Sequence, residues 1–366
     1  MKTLAELQDA CGDLGLVVES TGRPNKEVWI TALRRHFWER DDPGQPIPEQ
    51  IEPMLLGDWN DITAEQAESL ENDHHAWAVQ PKLDGCRALF HIKNEGIRVT
   101  SRTISDVTFR LSEHQDNVPH LSTGLQFLQD TILDGELVCP IAKIDTGSTN
   151  TENALQAAVA ILATSPDKAL SIQAQNDTYL EFHVFDVLRF QGHDVTQQPL
   201  SERLDILNRV IGQTDNPFIR LVPTGIVGKR SIHDRIIDAG GEGTVWKRLD
   251  QPYEPGRRVK HWIKRKCGIE VEAFVTAFKT GSADRGNRHL VGAVEFSTRN
   301  SEGANIPIAW VSSWTDDERA ALTVYQEGGS IQLNPSYIGR RAMVVGQDRS
   351  ARSHRIRHAR LKQWIS

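Results

Sequence analysis

The chain has no apolar run near the roughly 18 residues that a spanning helix needs, so an integral membrane protein is not expected. It has only four cysteines, Cys11, Cys86, Cys139 and Cys267, scattered and without a CxxC pair. That spacing argues against a zinc site and against a disulfide framework. It fits a reduced, cytoplasmic compartment. Residues 1–18 read as a polar helical pattern without a long apolar stretch, which speaks against a secretory signal. No internal repeat is present. Nor is there an excess of positive charge. The formal net charge of −7 weighs against a protein that coats nucleic acid.

The 366 residues suggest two or three domains, at about 150 residues each. A chain of this length buries enough surface to need no disulfide or metal staple. Its charge is uneven. Residues 39–75 hold eleven acidic residues and one basic. Residues 247–266 hold eight basic and two acidic, and residues 340–366 eight basic and one acidic. Such a chain can present a basic channel while staying acidic overall, although each run alone also reads as a solvated face.

Leu4, Leu7, Cys11 and Leu14 recur at helical spacing, and Trp29, Leu33 and Phe37 mark a second helix after a turn at 21–25. Residues 45–75 are acidic, with a helix expected over 64–71. The middle of the chain alternates strands with helices. Strands are expected at 77–80, 87–92, 97–101, 132–138, 180–187, 244–247 and 262–266. Helices are expected at 152–164, 200–210 and 232–239. Beyond Cys267 the pattern is nearly pure strand, with one helical stretch at 316–324. A mostly β tail of that size suits a small oligonucleotide-binding (OB) barrel, with a β-sandwich as the alternative. The expected division is a small helical unit at 1–45, a central domain at 46–266 and a β domain at 267–366.

The most informative segment is Lys82-Leu83-Asp84-Gly85-Cys86-Arg87, a tight turn between two expected strands. A lysine just past a strand end can be held rigidly at a cleft mouth. Its unperturbed pKa of about 10.4 means that a nucleophilic role needs nearby cations, such as Arg87 or a bound metal. By itself a Lys-x-Asp-Gly-x-Arg match arises in about one chain in a hundred of this length, and an ordinary hairpin turn explains it as well. The downstream segments change that. Ser101-Arg102-Thr103, Asp134-Gly135-Glu136, Phe185-Asp186, Glu242-Gly243-Thr244-Val245-Trp246-Lys247 and Trp262-Ile263-Lys264-Arg265-Lys266 follow in order. A lysine, carboxylates, an aromatic wall and a row of cations suit attack on a nucleoside triphosphate.

In that motif order, the chain resembles an ATP-dependent DNA ligase of the covalent nucleotidyltransferase superfamily. Tyr253 to Arg258 also match the usual approach to the last motif. The resemblance implies an α+β chain: an ATP-grasp-like adenylation domain followed by an OB-fold β-barrel. It implies ATP as substrate, Mg2+ or Mn2+ as the metal, nicked duplex DNA as partner and a monomer. On the matching positions, Lys82 would become the lysyl-adenylate. Gln80 stands where the family has a glutamate near the adenine amine, and its amide can still accept. Arg87 and Glu136 would bind the ribose side, and Phe185 would stack on adenine. Arg102 would hold the 5′-phosphate at a nick. Glu242 would serve the metal, with Asp84 and Glu136. Lys247, Lys264 and Lys266 would contact nucleotide phosphates.

The first two helices resemble a SAP-type DNA-binding unit, on Gly15-Leu16 and the spacing of Trp29 and Leu33. A helical hairpin packed on the catalytic domain is the other reading. Arg34 and Arg35 on this unit, and Arg352 and Arg355 near the end, are the expected DNA contacts. One departure stands out. Family members often end with an Arg-x-Asp-Lys segment that orients the leaving pyrophosphate, and residues 357–366 contain none. The arginines and Lys362 of this basic tail are expected to substitute. Cys86, the pair His74-His75 and the nine tryptophans need no catalytic role, though Trp310 or Trp314 could form a stacking platform. An RNA ligase or a capping guanylyltransferase would share the lysine motif. A NAD-dependent ligase lacks support without zinc cysteines. A non-catalytic nucleic-acid-binding relic is opposed by the intact lysine, carboxylates and cation row.

Overall fold

Apolar positions at helical spacing open the chain as two capped helices, α1 (Leu4–Asp13) and α2 (Lys26–Asp41). The computed structural model describes residues 3–18, 25–105, 108–147, 150–151, 153–266, 268–281, 289–300, 302–326, 328–346, 355–356 and 359–365. Thr3 caps α1 in a reciprocal box with Glu6, and Asn25 caps α2. The chain forms two compact units. The first is 1–239 with 243–265, and the second is 240–242 with 266–366.

The first unit holds two sheets. One joins β1 (Leu55–Asp58), β2 (Trp77–Pro81), β10 (Gly243–Arg248) and β11 (Arg258–Lys266) in the order β1-β11-β10-β2. The other contains β3 (Cys86–Lys93), β4 (Gly96–Ile104), β5 (Leu111–Glu113), β6 (Thr131–Val138), β7 (Glu181–Phe190), β8 (His193–Asp194) and β9 (Ile219–Leu221). Its order is β5-β4-β3-β6-β7-β8, with β9 parallel to β7. Five further helices complete the unit: α3 (Ala64–Asn72), α4 (Ala154–Leu162), α5 (Pro166–Gln175), α6 (Leu200–Ile211) and α7 (Lys229–Asp238). Helix α5 is absent from the sequence expectations. Its start, Ser165-Pro166, is a helix-opening signal, but the apolar stripe behind it is short. The sequence also hides β1, whose four residues are only half-buried. The main core lies between the larger sheet and α4, α5 and α6 and takes in Leu89, Phe90, Leu133, Phe182 and Leu207.

In the second unit, β12 (Ile269–Thr280), β13 (Val291–Arg299), β14 (Asn305–Val311), β17 (Arg341–Gly346) and β18 (Arg360–Trp364) form one sheet in the order β14-β13-β12-β17-β18. β15 (Thr323–Tyr325) and β16 (Ile331–Leu333) form a separate hairpin after α8 (Asp316–Leu322). Val275, Phe296, Val311 and Val344 build a separate core there. The closing strand β18 is also missing from the sequence expectations, because its residues alternate with charges and are mostly exposed at this edge. Among the described residues the ladders give a five-stranded sheet with β14 and β18 as its edges.

Two histidines are buried in the first unit. His91 shares a hydrogen bond with Thr100 Oγ1 (3.1 Å), and His233 Nδ1 one with Thr244 Oγ1 (2.8 Å). Burial, with nearby arginines, lowers His91 to about 3 and His233 to about 4. An unfolded histidine titrates near about 6.5. Between that pH and the folded values the unfolded chain binds more protons, so stability falls as the pH falls. Each histidine should contribute about 1.4 kcal/mol per pH unit in that window. Denaturant melts from pH 6.5 to 4 should show this slope, and His91→Leu with Thr100→Val should remove one proton's share of it.

Candidate active site

The lysine motif spans the gap between the two sheets. Strand β2 ends at Pro81, opposite Thr244 of β10. The Lys82 amide then donates to the Gly243 carbonyl at 2.9 Å, which fixes the lysine at the strand end. The turn needs glycine at 85, because a Cβ there would lie 2.4 Å from the Leu137 carbonyl oxygen. Strand β3 follows at once and pairs Arg87 directly opposite Glu136 of β6. The Glu136 side chain lies against Gly85. Asp84 and Glu136 both bear on Cys86, whose thiol is pushed up to about 11 by burial first and by these two carboxylates next. Arg102, exposed on β4, acts on the same thiol in the opposite direction, which places it within electrostatic reach of the motif.

Behind the lysine lies a buried charge network. Arg87 holds Asp134 with Nε and Nη2, at 2.5 and 2.6 Å. Tyr253 Oη donates to the same carboxylate at 2.7 Å and accepts from the Met54 amide. Arg203 of α6 grips Asp186 with two bonds of 2.7 and 2.9 Å, and both side chains are 0% exposed. Asp134 faces Asp186 across β6 and β7, but the next register pair joins Gly135 to Val184. Phe185 is therefore the extra residue of a β-bulge, a device that re-aims a side chain. Its ring lies 4.5 Å below the Arg87 guanidinium and 4.3 Å from Lys247 Nζ.

Lys247 is 2% exposed, and its ammonium lies 3.7 Å from the Trp262 ring centre. Neither Lys247 Nζ nor Trp262 Nε1 has a hydrogen-bond partner among the described residues. Burial lowers Lys247 to about 7; Asp186 opposes that shift and Arg87 adds to it. Gln80 shares this face, opposite Val245 in the β2–β10 ladder. Its amide nitrogen donates to Thr224 Oγ1 at 2.8 Å, so the carbonyl end is the one turned to other donors.

The remaining candidates are dispersed. Lys264 pairs with Asp58 at 3.3 Å. Its neighbour Arg265 points the other way, onto Glu71 and the Trp59 ring. Glu242 and Lys266 belong to the second unit, where they pair at 2.9 Å. Arg34 donates to the Phe109 carbonyl at 2.9 Å, and Arg35 is exposed on α2. Arg355 pairs with Glu295, and Lys362 with Glu270. Arg352 lies outside the described residues. Among the described residues no group of three or more His, Cys, Asp or Glu is placed to hold a metal. The sequence reading gave no role to Asp186, Arg203 or Tyr253. The signal was there: an aspartate inside the apolar run of β7, and an arginine among the leucines of α6. Each implies a buried partner.

Comparison with known proteins extends this geometry. A solved Lig E DNA ligase structure is 16% identical, covers 87% of this chain and 100% of its own, and superposes with a TM-score of 0.56. The fold is thus that of this ligase structure, a mixed α+β arrangement. The family model described as ATP dependent DNA ligase domain matches residues 53–266, starting past the two N-terminal helices. The chain belongs to this family. A DNA ligase of Natronomonas pharaonis is 32% identical over 76% of this chain and 46% of its own length. A probable DNA ligase of Pseudarthrobacter chlorophenolicus is 31% identical over 73% and 48%. The chain spans about half the length of these relatives.

Arg203 and Lys247 should respond oppositely to mutation. Arg203→Met leaves Asp186 charged and unpartnered, and should cost about 3–5 kcal/mol in a denaturant melt. Lys247→Met strands no carboxylate and should raise the melting temperature at pH 7. A lysine titrates near about 10.4 when unfolded, so wild-type stability rises with pH between 7 and that value. The advantage of Lys247→Met should therefore be largest at pH 7 and below, and should shrink by pH 9.5.

Proposed function

We propose that the protein is an ATP-dependent DNA ligase that seals nicks in duplex DNA. The observation that carries this is Lys82, pinned at the end of β2 by Gly243 in the turn that carries Asp84 and leads into Arg87 opposite Glu136, inside a stretch that matches the ligase family. The relatives are named DNA ligases, which favours DNA over RNA ends or a cap.

In the first step the Lys82 Nζ lone pair attacks the α-phosphorus of ATP. The N–P bond forms, the P–O bond to pyrophosphate breaks, and the amine loses its proton to solvent. Phosphoryl transfer of this kind needs positioning and charge neutralisation more than side-chain chemistry. Phe185 supplies the stacking face for adenine, and the Gln80 carbonyl accepts from its amine. Arg87 and Glu136 border the ribose. Lys264 and Lys266 keep the phosphate contacts, and Glu242 the metal role, that the motifs imply. Asp84 and Glu136 fit magnesium in the way that ion is usually held, by one or two carboxylates completed by substrate phosphates. When bound, the ion would neutralise the triphosphate. The adenylyl group then passes to the 5′-phosphate of a nick, held by Arg102. The 3′-hydroxyl attacks that phosphate, the new phosphodiester forms, and AMP leaves.

The unit from 267 onward is read as an OB barrel that faces the DNA. The Ile356 amide bonds the Ile308 carbonyl of β14, which brings that one residue ahead of β18 to the opposite edge strand of the sheet. That is what closure of the sheet requires. On its outer face Trp310 carries the Lys279 ammonium at 4.1 Å and the Arg355 guanidinium at 5.9 Å. This patch suits a phosphate backbone. No described helix is long and apolar enough to cross a membrane. A reaction on ATP and DNA is in keeping with the cytoplasmic compartment expected from the cysteine pattern.

Protein incubated with magnesium and ATP labelled at the α-phosphate should form an SDS-stable adduct that pyrophosphate removes. Lys82→Ala should form none while keeping its circular dichroism spectrum. Preferential labelling by GTP would overturn the ligase reading. Arg102→Ala should adenylate at the wild-type rate but seal a nick at least tenfold more slowly, the size of a lost charge-assisted hydrogen bond.

A further inference from the structure

The N-terminal helices bury one residue from outside their own hairpin. Phe109, 5% exposed, inserts among Leu7, Cys11, Ile30 and Leu33, and stacks on Phe37 with ring centres 6.0 Å apart. Ile104 packs against the same cluster. The Arg34 guanidinium donates to the Phe109 carbonyl. Arg110 pairs with Asp42 at 3.2 Å and stacks 4.5 Å from the Trp38 ring. Phe109 has a φ of +55°, a left-handed conformation that a bulky side chain adopts only when its surroundings hold it there.

Phe109 and Ile104 flank the connection between β4 and β5, and β4 carries Arg102. The ladder between these strands is broken at that residue. Thr100 pairs with Glu113, and the next pair is Ile104 with Leu111. Four steps along β4 thus answer two along β5, so Ser101, Arg102 and Thr103 lie in a bulge. Within it, Ser101 Oγ accepts from the Ser112 amide and donates to the Thr103 carbonyl. One end of the bulge is fixed by the sheet. The other end is fixed by Ile104 and Phe109, in the grip of α1 and α2.

We propose that the N-terminal helix pair is a positioning element for Arg102. By clamping Phe109 and Ile104 it sets the aim of the bulge that presents this arginine to the 5′-phosphate of a nick. Phe109 is the positioning residue; it touches no substrate. The helices act on DNA through this hairpin rather than by gripping the backbone themselves. This inference rests on the ligase reading above.

The test uses the full chain, first adenylated with ATP. Binding is then measured without magnesium to two nicked duplexes, one with a 5′-phosphate and one with a 5′-hydroxyl. The wild type should prefer the phosphorylated nick. Phe109→Gly should lower that preference about tenfold, leave binding to the 5′-hydroxyl nick unchanged, and adenylate normally. Phe109→Leu, which refills the socket, should keep most of the preference. Should Phe109→Gly fail to fold, Arg110→Met loosens the same junction from the surface, and should lower the preference about threefold. Equal weakening on both duplexes would overturn the proposal and assign the helices a direct grip on the backbone. An unchanged preference would overturn it as well. A wild-type protein that forms no adenylate would instead remove the ligase reading on which it rests.

Discussion

Two carboxylates buried behind the lysine motif constrain the first unit more than any other feature. Asp134 and Asp186 face each other across β6 and β7, and each is satisfied by its own arginine. A buried ion pair adds little net stability, but stranding one member is costly. The arrangement therefore acts as a constraint on geometry. Arg203 ties α6 to the centre of the sheet, and Tyr253 ties the approach to β11, and Met54 before β1, to Asp134. Arg87, one strand over, is held where Phe185 can lie beneath it. Lys247 is the fifth charge in this cluster, and it rests on aromatic faces instead of a carboxylate.

Around this fixed centre, the candidate site occupies places where regular pairing fails. Lys82 sits where the β2–β10 ladder ends, Phe185 in a bulge of β7, and Arg102 in a bulge of β4. Glycines allow the close approaches. A Cβ at Gly135 would lie 2.5 Å from the His183 carbonyl oxygen, as one at Gly85 would crowd Leu137. Such interruptions turn side chains out of the alternating pattern of a strand. Rigid strands on either side then hold them, and the proposed transfer, which depends on aligned phosphates, would benefit from that rigidity.

The N-terminal helices show the same logic at the edge of the unit. Their apolar stripes are legible as helices. What they bury besides each other is Phe109, which is remote in sequence and sits in an unremarkable polar stretch. No periodicity marks a single aromatic residue as the plug of a distant helical hairpin.

The sequence by itself determined the strand-and-turn frame of the central region, the lysine at a strand end and the order of motifs that identifies the family. Those are local signals: alternation, glycine turns and spacing. It also marked Asp134, Asp186 and Arg203 as charges in apolar surroundings without saying how they pair. Only the tertiary structure decided that Arg87 is held by Asp134, that Lys247 is buried on Trp262, that Lys266 meets Glu242, and that Phe109 locks into α1 and α2. Each of these depends on sheet register and on contacts between residues far apart in the chain. A bulge of one residue reverses which side chains share a face, and no local pattern in a single sequence records where that bulge falls.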